Sequence, residues 1–485
     1  MVSVSLNRYE QIWEAHRAEF SALVRIPSVY EETTASDAAP CGAPVASALE
    51  YMKTLCAREG FVIREYDGRA FSASWGGCEC ACGRERGREC EHEHGHEHEH
   101  ERERGHEHEQ KCGRIDIVSH LDVVGVSDGW EEDPFSGSVH DGCVHGRGTQ
   151  DMKAGAYLTF LALKLVKDSG IVPKREIRLV YGTDEERTMD DMRWYVGKAG
   201  LPAFAFSPDG AFPMVNSEKG ALMWTVEGAY TGAVRALTGG IQPNVIPPEA
   251  SAVLDAAAGV SAGTAMQKAA ELGITARIKQ TPEGLFMNVQ GKAAHASKPE
   301  AGRNALSDLL RLLAALCGEE VLCRLAAVFG DAYGRGTGLE HDLSPMGRLT
   351  LSPGVASIEN GRLRFLVDCR YPYGVDSAEL TETLRQCLPD YDIALPYDDP
   401  PTFTPEDDPY ILALKAAYTE ATGRECDAAI SGGVSYSKVF GHCVTFGAVA
   451  EGSELLAHQE NERIREADCV SALEIYHRTI LKLSE

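Results

Sequence analysis

An α/β fold whose first domain is interrupted by a second one is the class this sequence predicts, and three observations predict it. The chain has 485 residues, more than one hydrophobic core usually serves. Beyond Gly113, short apolar runs ending in polar clusters alternate with helical stretches, the pattern of strands joined by crossover helices. Between about Ser217 and Tyr397 lies a block of strand-like and helix-like segments, and the Pro-rich acidic stretch PYDDPPTFTPEDDP then reads as a return crossing.

Taken in order, Tyr9 to Val24 and Ala46 to Glu59 repeat apolar residues at helical spacing, and Gly60 stops the second helix. FSASW reads as a strand. IDIVSHLD, the helical stretch Ala154 to Val166, REIRLVYGTDEE and AFAFSPDG follow as parallel strands with a crossover helix. The inserted block contains the strand-like LRFLVDCRY near its end, and a helix and further strand-like pieces close the chain. The expected domains are therefore a catalytic domain in two parts, 1–217 and 401–485, and an inserted domain, 218–400. Functional residues of an open α/β sheet gather beyond the carboxyl ends of its strands. His120, Asp122, Glu185, Glu186 and Asp209 all stand where an apolar run gives out.

Composition removes several classes of function. Apolar residues make up 44% and charged residues 25%, so most of the chain can bury a core. A net charge of −26 argues against nucleic acid or an anionic membrane as partner, because both require clustered Lys and Arg. No apolar run of about eighteen residues occurs, and MVSVSLNRYEQIWEAHRAEF lacks a basic stretch followed by an apolar core, so a soluble cytoplasmic protein is expected. The fifteen cysteines are then expected as reduced thiols, several at apolar positions such as Cys317, Cys323 and Cys443.

Five clusters carry the chemistry. SHLDVV places Asp122 two residues from His120, the spacing at which a strand turns both to one side and a carboxylate can orient a metal-bound imidazole. GRGTQDMKAG puts Asp151 at a helix start, where it is either a cap or a carboxylate whose two oxygens bridge cations about 3.5–4 Å apart. GTDEER stacks Asp184, Glu185 and Glu186 after a strand; the acidic crowding is a solvated turn or is relieved by metal or a shared proton. SPDGAFP adds Asp209 and AHQENE adds His458.

In this order, SHLDVV, GRGTQDMK, GTDEE, SPDG and AHQENE resemble the motifs of the di-zinc aminoacylase and dipeptidase family, the M20 metallopeptidases, over nearly the whole chain. The resemblance implies a di-zinc exopeptidase fold of the phosphorylase/hydrolase type, with an α+β lid as the inserted domain. It also implies roles. Asp151 would bridge two Zn2+ ions, His120 and Asp209 completing one site and Glu186 and His458 the other, with Asp122 orienting His120. Glu185 would be the general base that takes a proton from the attacking water and returns it to the leaving nitrogen. The donor set of carboxylates and imidazoles without thiolate favours zinc and would accept manganese or cobalt.

The resemblance extends into the inserted block, where it is closest to the peptidase V-type dipeptidases. GKAAHASKPEAG is similar to the family's lid motif, so His295 would donate to the oxyanion of the tetrahedral intermediate, a contact worth roughly 3–4 kcal/mol. Asn244 in GGIQPNVIPP and Arg370 in LVDCRYP match substrate-holding positions, although by itself a single His or Arg in such a domain is usually structural. SGGVSYSK, with Gly432 and Gly433, is similar to a glycine loop whose N–H groups receive a substrate carboxylate. It departs from the uninterrupted GGGTY-like run of the dipeptidases, which leaves carboxylate recognition open. A lid of this length belongs to members that act alone, so a monomer using its own His295 is expected.

One segment stands apart. Gly76 to Gly113 is low complexity, with seven His between His92 and His108 and with Cys78, Cys80, Cys82, Cys90 and Cys112 nearby. Such a tract cannot build a packed core, and it reads either as a metal-gathering surface loop or as a neutral repeat expansion. The activity the resemblance implies is hydrolysis of dipeptides or similar small amides. The alternatives are N-acyl amino acid deacylation on the same centre and a lapsed enzyme that binds metal; Glu185 and His295 would be superfluous in the latter.

Overall fold

The computed structural model describes residues 7–77 and 113–484, so the expected metal-gathering loop lies outside the described residues. Contacts divide the chain into two units, one of Met1–Asn216, Phe403–Ala429 and Ser435–Glu485, the other of Ser217–Thr402 with Ile430–Val434. The first unit is built of a sheet with helices packed on it, the second of an antiparallel sheet with helices.

In the first unit the strands run in the order Val62–Tyr66, Ala70–Trp75, Ile177–Gly182, Ile115–His120, Phe204–Ser207, Cys443–Thr445, Met214–Glu218. Ile115–His120 is parallel to both its neighbours, and Cys443–Thr445 is parallel to Phe204–Ser207. These central strands are buried almost throughout, as residues covered by helices on both faces must be. The strands ending at His120, Gly182 and Ser207 are parallel as expected, while the edge whose direction the sequence left open is antiparallel: Ala70–Trp75 pairs antiparallel with Val62–Tyr66 through a tight turn at Asp67 and Gly68, and antiparallel with Ile177–Gly182. Two strands joined by so short a link can only run in opposite directions.

Helix Arg8–Val24 starts on a capping box: Asn7 accepts from Tyr9 N, and Glu10 accepts from Asn7 N, each at 2.7 Å. Helix Lys153–Asp168 has no polar face to speak of, since Ala154 through Leu163 are all buried. It is the central helix of this unit, packed between the sheet and helices Arg8–Val24 and Glu466–Leu483, and its start carries Asp151 to the sheet's carboxyl edge. A small three-stranded sheet, Arg463–Arg465 with Cys143–His145 with Val139–His140, brings the chain's last motif beside the segment before Asp151.

The second unit is an eight-stranded sheet in the order Ala276–Thr281, Gly284–Gln290, Glu249–Asp255, Val234–Gly239, Thr350–Glu359, Arg362–Tyr371, Gly220–Ala229, Asp392–Asp399. Alternating burial in Glu249–Asp255 shows one face turned to a core, where helix Ala305–Cys317 supplies Leu306, Leu309, Leu310 and Leu313. No disulfide joins the described cysteines. Cys443 is buried, but Cys323 is exposed, because helix Glu320–Phe329 turns Leu322, Leu325, Val328 and Phe329 inward instead. No described helix is long and apolar enough to cross a membrane.

Candidate metal centre

Three strand ends and two loops of the first unit bring His120, Asp122, Asp151, Glu185, Glu186, Asp209 and His458 together. The Asp151 carboxylate stands between two imidazoles: Oδ1 lies 3.0 Å from His120 Nε2, and Oδ2 lies 2.9 Å from His458 Nε2. His120 Nε2 is also 3.8 Å from Asp209 Oδ2, and His458 Nε2 is 3.1 Å from Glu186 Oε2. His120, Asp151 and Glu186 present ligand atoms within 4.8 Å of one another, and so do His120, Glu185 and Asp209. His458 holds its place with φ +63°, a left-handed conformation uncommon outside glycine and frequent at functional sites.

Asp122 does more than its spacing suggested. The strand ends at His120, so the alternation of a strand does not govern the pair. His120 Nδ1 lies 2.9 Å from the Asp122 carbonyl oxygen, a contact that assigns Nδ1 as donor and turns Nε2 toward Asp151 and Asp209. The Asp122 carboxylate, 3.5 Å from Nδ1, accepts from the backbone N–H of Glu186 at 3.1 Å and of Glu185 at 3.4 Å. One residue thus orients the imidazole and the acidic turn.

The electrostatics are those of a site that requires cations. Burial, reinforced by Asp209, Asp151 and Glu186, pushes the Glu185 carboxyl well above its usual range, and burial raises Glu186 as well. Burial disfavours the charged form of His120, but Asp122 and Asp151 outweigh it and raise its pKa; Asp151 and Glu186 push His458 up to about 10. Each imidazole thus sits where positive charge is stabilised, Glu185 and Glu186 sit where further negative charge is not, and the two imidazoles outweigh burial to hold Asp151 below the usual carboxylate range. Carboxylate and imidazole donors converging on either side of Asp151 fit two divalent cations of the zinc, manganese or cobalt kind.

Two supporting groups were not visible in the sequence. Glu462, fully buried, accepts from Gly148 N at 3.1 Å and Arg147 Nη1 at 2.7 Å through Oε2, and from Gln150 N at 2.7 Å and Asp151 N at 3.3 Å through Oε1. Gln150 in turn donates to Glu454 O and Arg463 O and accepts from Leu456 N, joining the Asp151 loop to the loop of His458. Asp191, also buried, accepts from Thr183 N, Asp184 N and the Tyr436 hydroxyl, and so holds the acidic turn from behind. Only the position of Glu462 four residues after His458 hinted at its role.

The expected lid residues meet within the second unit. Val245 and His295 form an antiparallel bridge, with Ala296 N donating to Asn244 O at 2.9 Å. His295 Nδ1 is 2.7 Å from Ser297 Oγ, and burial, then Arg370, lowers its pKa, so it is neutral. Arg370 is clamped by Asp368 through Nε at 3.0 Å and Nη2 at 2.7 Å, and its Nη1 donates to Gly432 O at 3.2 Å. Gly432 passes so close to Ser297 that a Cβ there would lie 2.8 Å from the serine Cβ, and Gly433 N donates to Ser431 Oγ. Asn244, His295, Arg370 and the glycine loop, far apart in sequence, are one cluster.

Comparison with known proteins bears on the family and the fold. The chain is 28% identical over 391 residues to the Beta-Ala-Xaa dipeptidase of Lactobacillus delbrueckii subsp. lactis, covering 77% of this chain and 82% of that one. It is 26% identical over 478 residues to the putative dipeptidase YtjP of Bacillus subtilis, covering 95% and 96%. Among solved structures, aminoacylhistidine dipeptidase from Vibrio alginolyticus shares the fold with a TM-score of 0.56 at 13% identity over 98% of this chain and 96% of that one. Dug1p, the dipeptidase of Saccharomyces cerevisiae, does so at 0.55 and 12% identity over 98% of both. Residues 117–482 match Peptidase family M20/M25/M40, and with the cluster around Asp151 formed from its motifs, the chain belongs to that family of metallopeptidases.

Proposed function

We propose that this protein is a dipeptidase acting through two zinc ions. The observation that carries the reading is the Asp151 carboxylate, with one oxygen turned to His120 and the other to His458. Asp151 would be shared by the two ions, His120 and Asp209 would hold one, and Glu186 and His458 would hold the other. Bound there, the two ions supply Lewis acidity and a water of lowered pKa. Glu185, whose carboxylate lies beside His120 and Asp209, takes the proton of the attacking water and delivers it to the leaving nitrogen. Asp122 fixes the backbone from which Glu185 and Glu186 project.

On this proposal His295 donates to the developing oxyanion, while Asn244, Arg370, Gly432 and Gly433 hold the substrate. Arg370 has five N–H donors, three of them engaged by Asp368 and Gly432, so two remain for a carboxylate. The names of the two sequence relatives above, both dipeptidases, favour dipeptides over N-acylated amino acids. The proposal includes a monomer that uses its own His295, a reading supported by the length of the inserted block, Ser217–Thr402.

The test is hydrolysis of a dipeptide panel, beside tripeptides and N-acyl amino acids, by zinc-reconstituted protein and its Glu185→Ala variant. Dipeptide cleavage that disappears in the variant, with two zinc ions retained, supports the proposal. Cleavage of N-acyl amino acids alone moves the function to deacylation.

A further inference from the structure

A second set of ligand-bearing side chains meets on the small sheet of the first unit. Val139–His140 and Cys143–His145 form a hairpin, and the loop at 131–133 sets Glu132 against it. Glu132 Oε1 is 3.1 Å from His140 Nε2 and 3.4 Å from His145 Nδ1, and the three residues offer ligand atoms within 4.8 Å of one another. None of them belongs to the centre around Asp151.

We propose that Glu132, His140 and His145 form a further divalent-metal site, selective for a borderline ion such as zinc, cobalt, nickel or copper. Two imidazoles and one carboxylate suit those ions and not calcium or magnesium, which take oxygen donors. The groups behind the donors are arranged for ligation as well. His140 Nδ1 lies 3.1 Å from Asp141 Oδ2, so the carboxylate that fixes the tautomer of a metal-bound imidazole is in place and leaves Nε2 for the ion. Ser138 Oγ donates to Glu132 Oε2 at 2.8 Å, which leaves Oε1 for the ion. Burial, then the neighbouring His140, lowers the pKa of His145, so its ring is neutral and ready to ligate.

Two features define how an ion would enter. The rings of His140 and His145 are stacked at 3.9 Å with 13° between planes, and an ion shared in both ring planes requires one ring to tilt. His140 can do so, because it is half exposed while His145 is largely covered. The site lies against the frame of the metal centre: His145 is paired with Arg463, and Gly146 N donates to Glu462 O at 2.9 Å. An ion here would tie the 131–133 loop to that frame.

The test reads single histidines in the full chain, so that ions bound elsewhere do not confuse it. Metal-free protein is treated with diethyl pyrocarbonate with and without micromolar Zn2+, and carbethoxylation of His140 is followed by peptide mass spectrometry. Zn2+ should protect His140 several-fold and Mg2+ should not, and protection should vanish in Glu132→Gln and His145→Ala variants with the parent's circular dichroism. Reactivity of His140 unchanged by Zn2+ in the parent, or protection that persists in both variants, would overturn the proposal. No turnover is read, so this result is independent of the dipeptidase assignment.

Discussion

Replacing Glu462 removes the group on which the Asp151 loop is hung. Its carboxylate is fully buried and accepts from three backbone N–H groups and the Arg147 guanidinium, itself 3% exposed. In Glu462→Ala the guanidinium loses its buried counter-charge, a change that typically costs about 3–5 kcal/mol. Each N–H left unsatisfied adds about 1–3 kcal/mol unless water reaches it. These terms overlap, and a methyl-lined gap of this size admits water, so a loss of about 4 kcal/mol is expected. Glu462→Gln keeps the shape and one acceptor oxygen but sets an amide N–H2 against donors, at a cost of about 2 kcal/mol. The effect on chemistry should exceed the effect on folding, since the donors that relax are those of Gly148, Gln150 and Asp151. Displacement of Asp151 by about 1 Å costs roughly 100-fold in rate, and loss of a group supporting a ligand costs about 10–100-fold in metal affinity. Urea denaturation, zinc competition titration and kcat on a cleaved dipeptide measure the three quantities. A Glu462→Gln protein with parental kcat and zinc affinity would refute the argument, whatever its stability.

Three other outcomes are expected. Glu185→Gln should lose about 100- to 10,000-fold in kcat with zinc content unchanged, measured by steady-state kinetics and metal analysis, because proton transfer and not ligation is removed. Chelation should lower the unfolding temperature, since carboxylates and imidazoles gathered around Asp151 lose their cations; free ion at about 100-fold its Kd contributes about 2.7 kcal/mol per site, read by calorimetry with and without Zn2+. His477 is held down to about 4 by burial, then by Arg8 and Arg478, while Tyr9 Oη lies 2.9 Å from its Nδ1. Its pKa is lower in the folded state, so its contribution is complete above the unfolded value near 6.5 and is lost as pH falls from 6.5 toward 4. About 2 kcal/mol is expected after solvent screening, and His477→Gln should flatten the pH dependence of urea stability over that window.

Several local features could be read directly from residue patterns. The apolar period from Tyr9 to Val24 and the buried runs ending at His120, Gly182 and Ser207 are set by residues within a few positions of one another. The order of the five motifs was enough to suggest the family, because four of them lie at the end or start of an element whose type its own sequence specifies, and AHQENE follows them in a turn. The direction of the edge strands stayed open for a related reason: FSASW has the same composition whether its partner runs with it or against it, and its turn through Gly68 decides that.

What the sequence by itself determined, then, was which residues stand at strand ends and helix starts, since side-chain period and capping act over one or two turns of chain. Only the tertiary structure decided which of those ends meet. His458 lies some three hundred residues beyond Asp151 and reaches its carboxylate, and Glu462 is buried beneath the same loop. Ile430–Val434 is assigned to the second unit, where Arg370 binds Gly432, although its chain neighbours on both sides belong to the first. Such meetings depend on how sheets and helices stack, and stacking is governed by complementary shape and burial summed over many residues. The second Glu of HQENE therefore carries no local mark of being the most deeply held carboxylate of its motif.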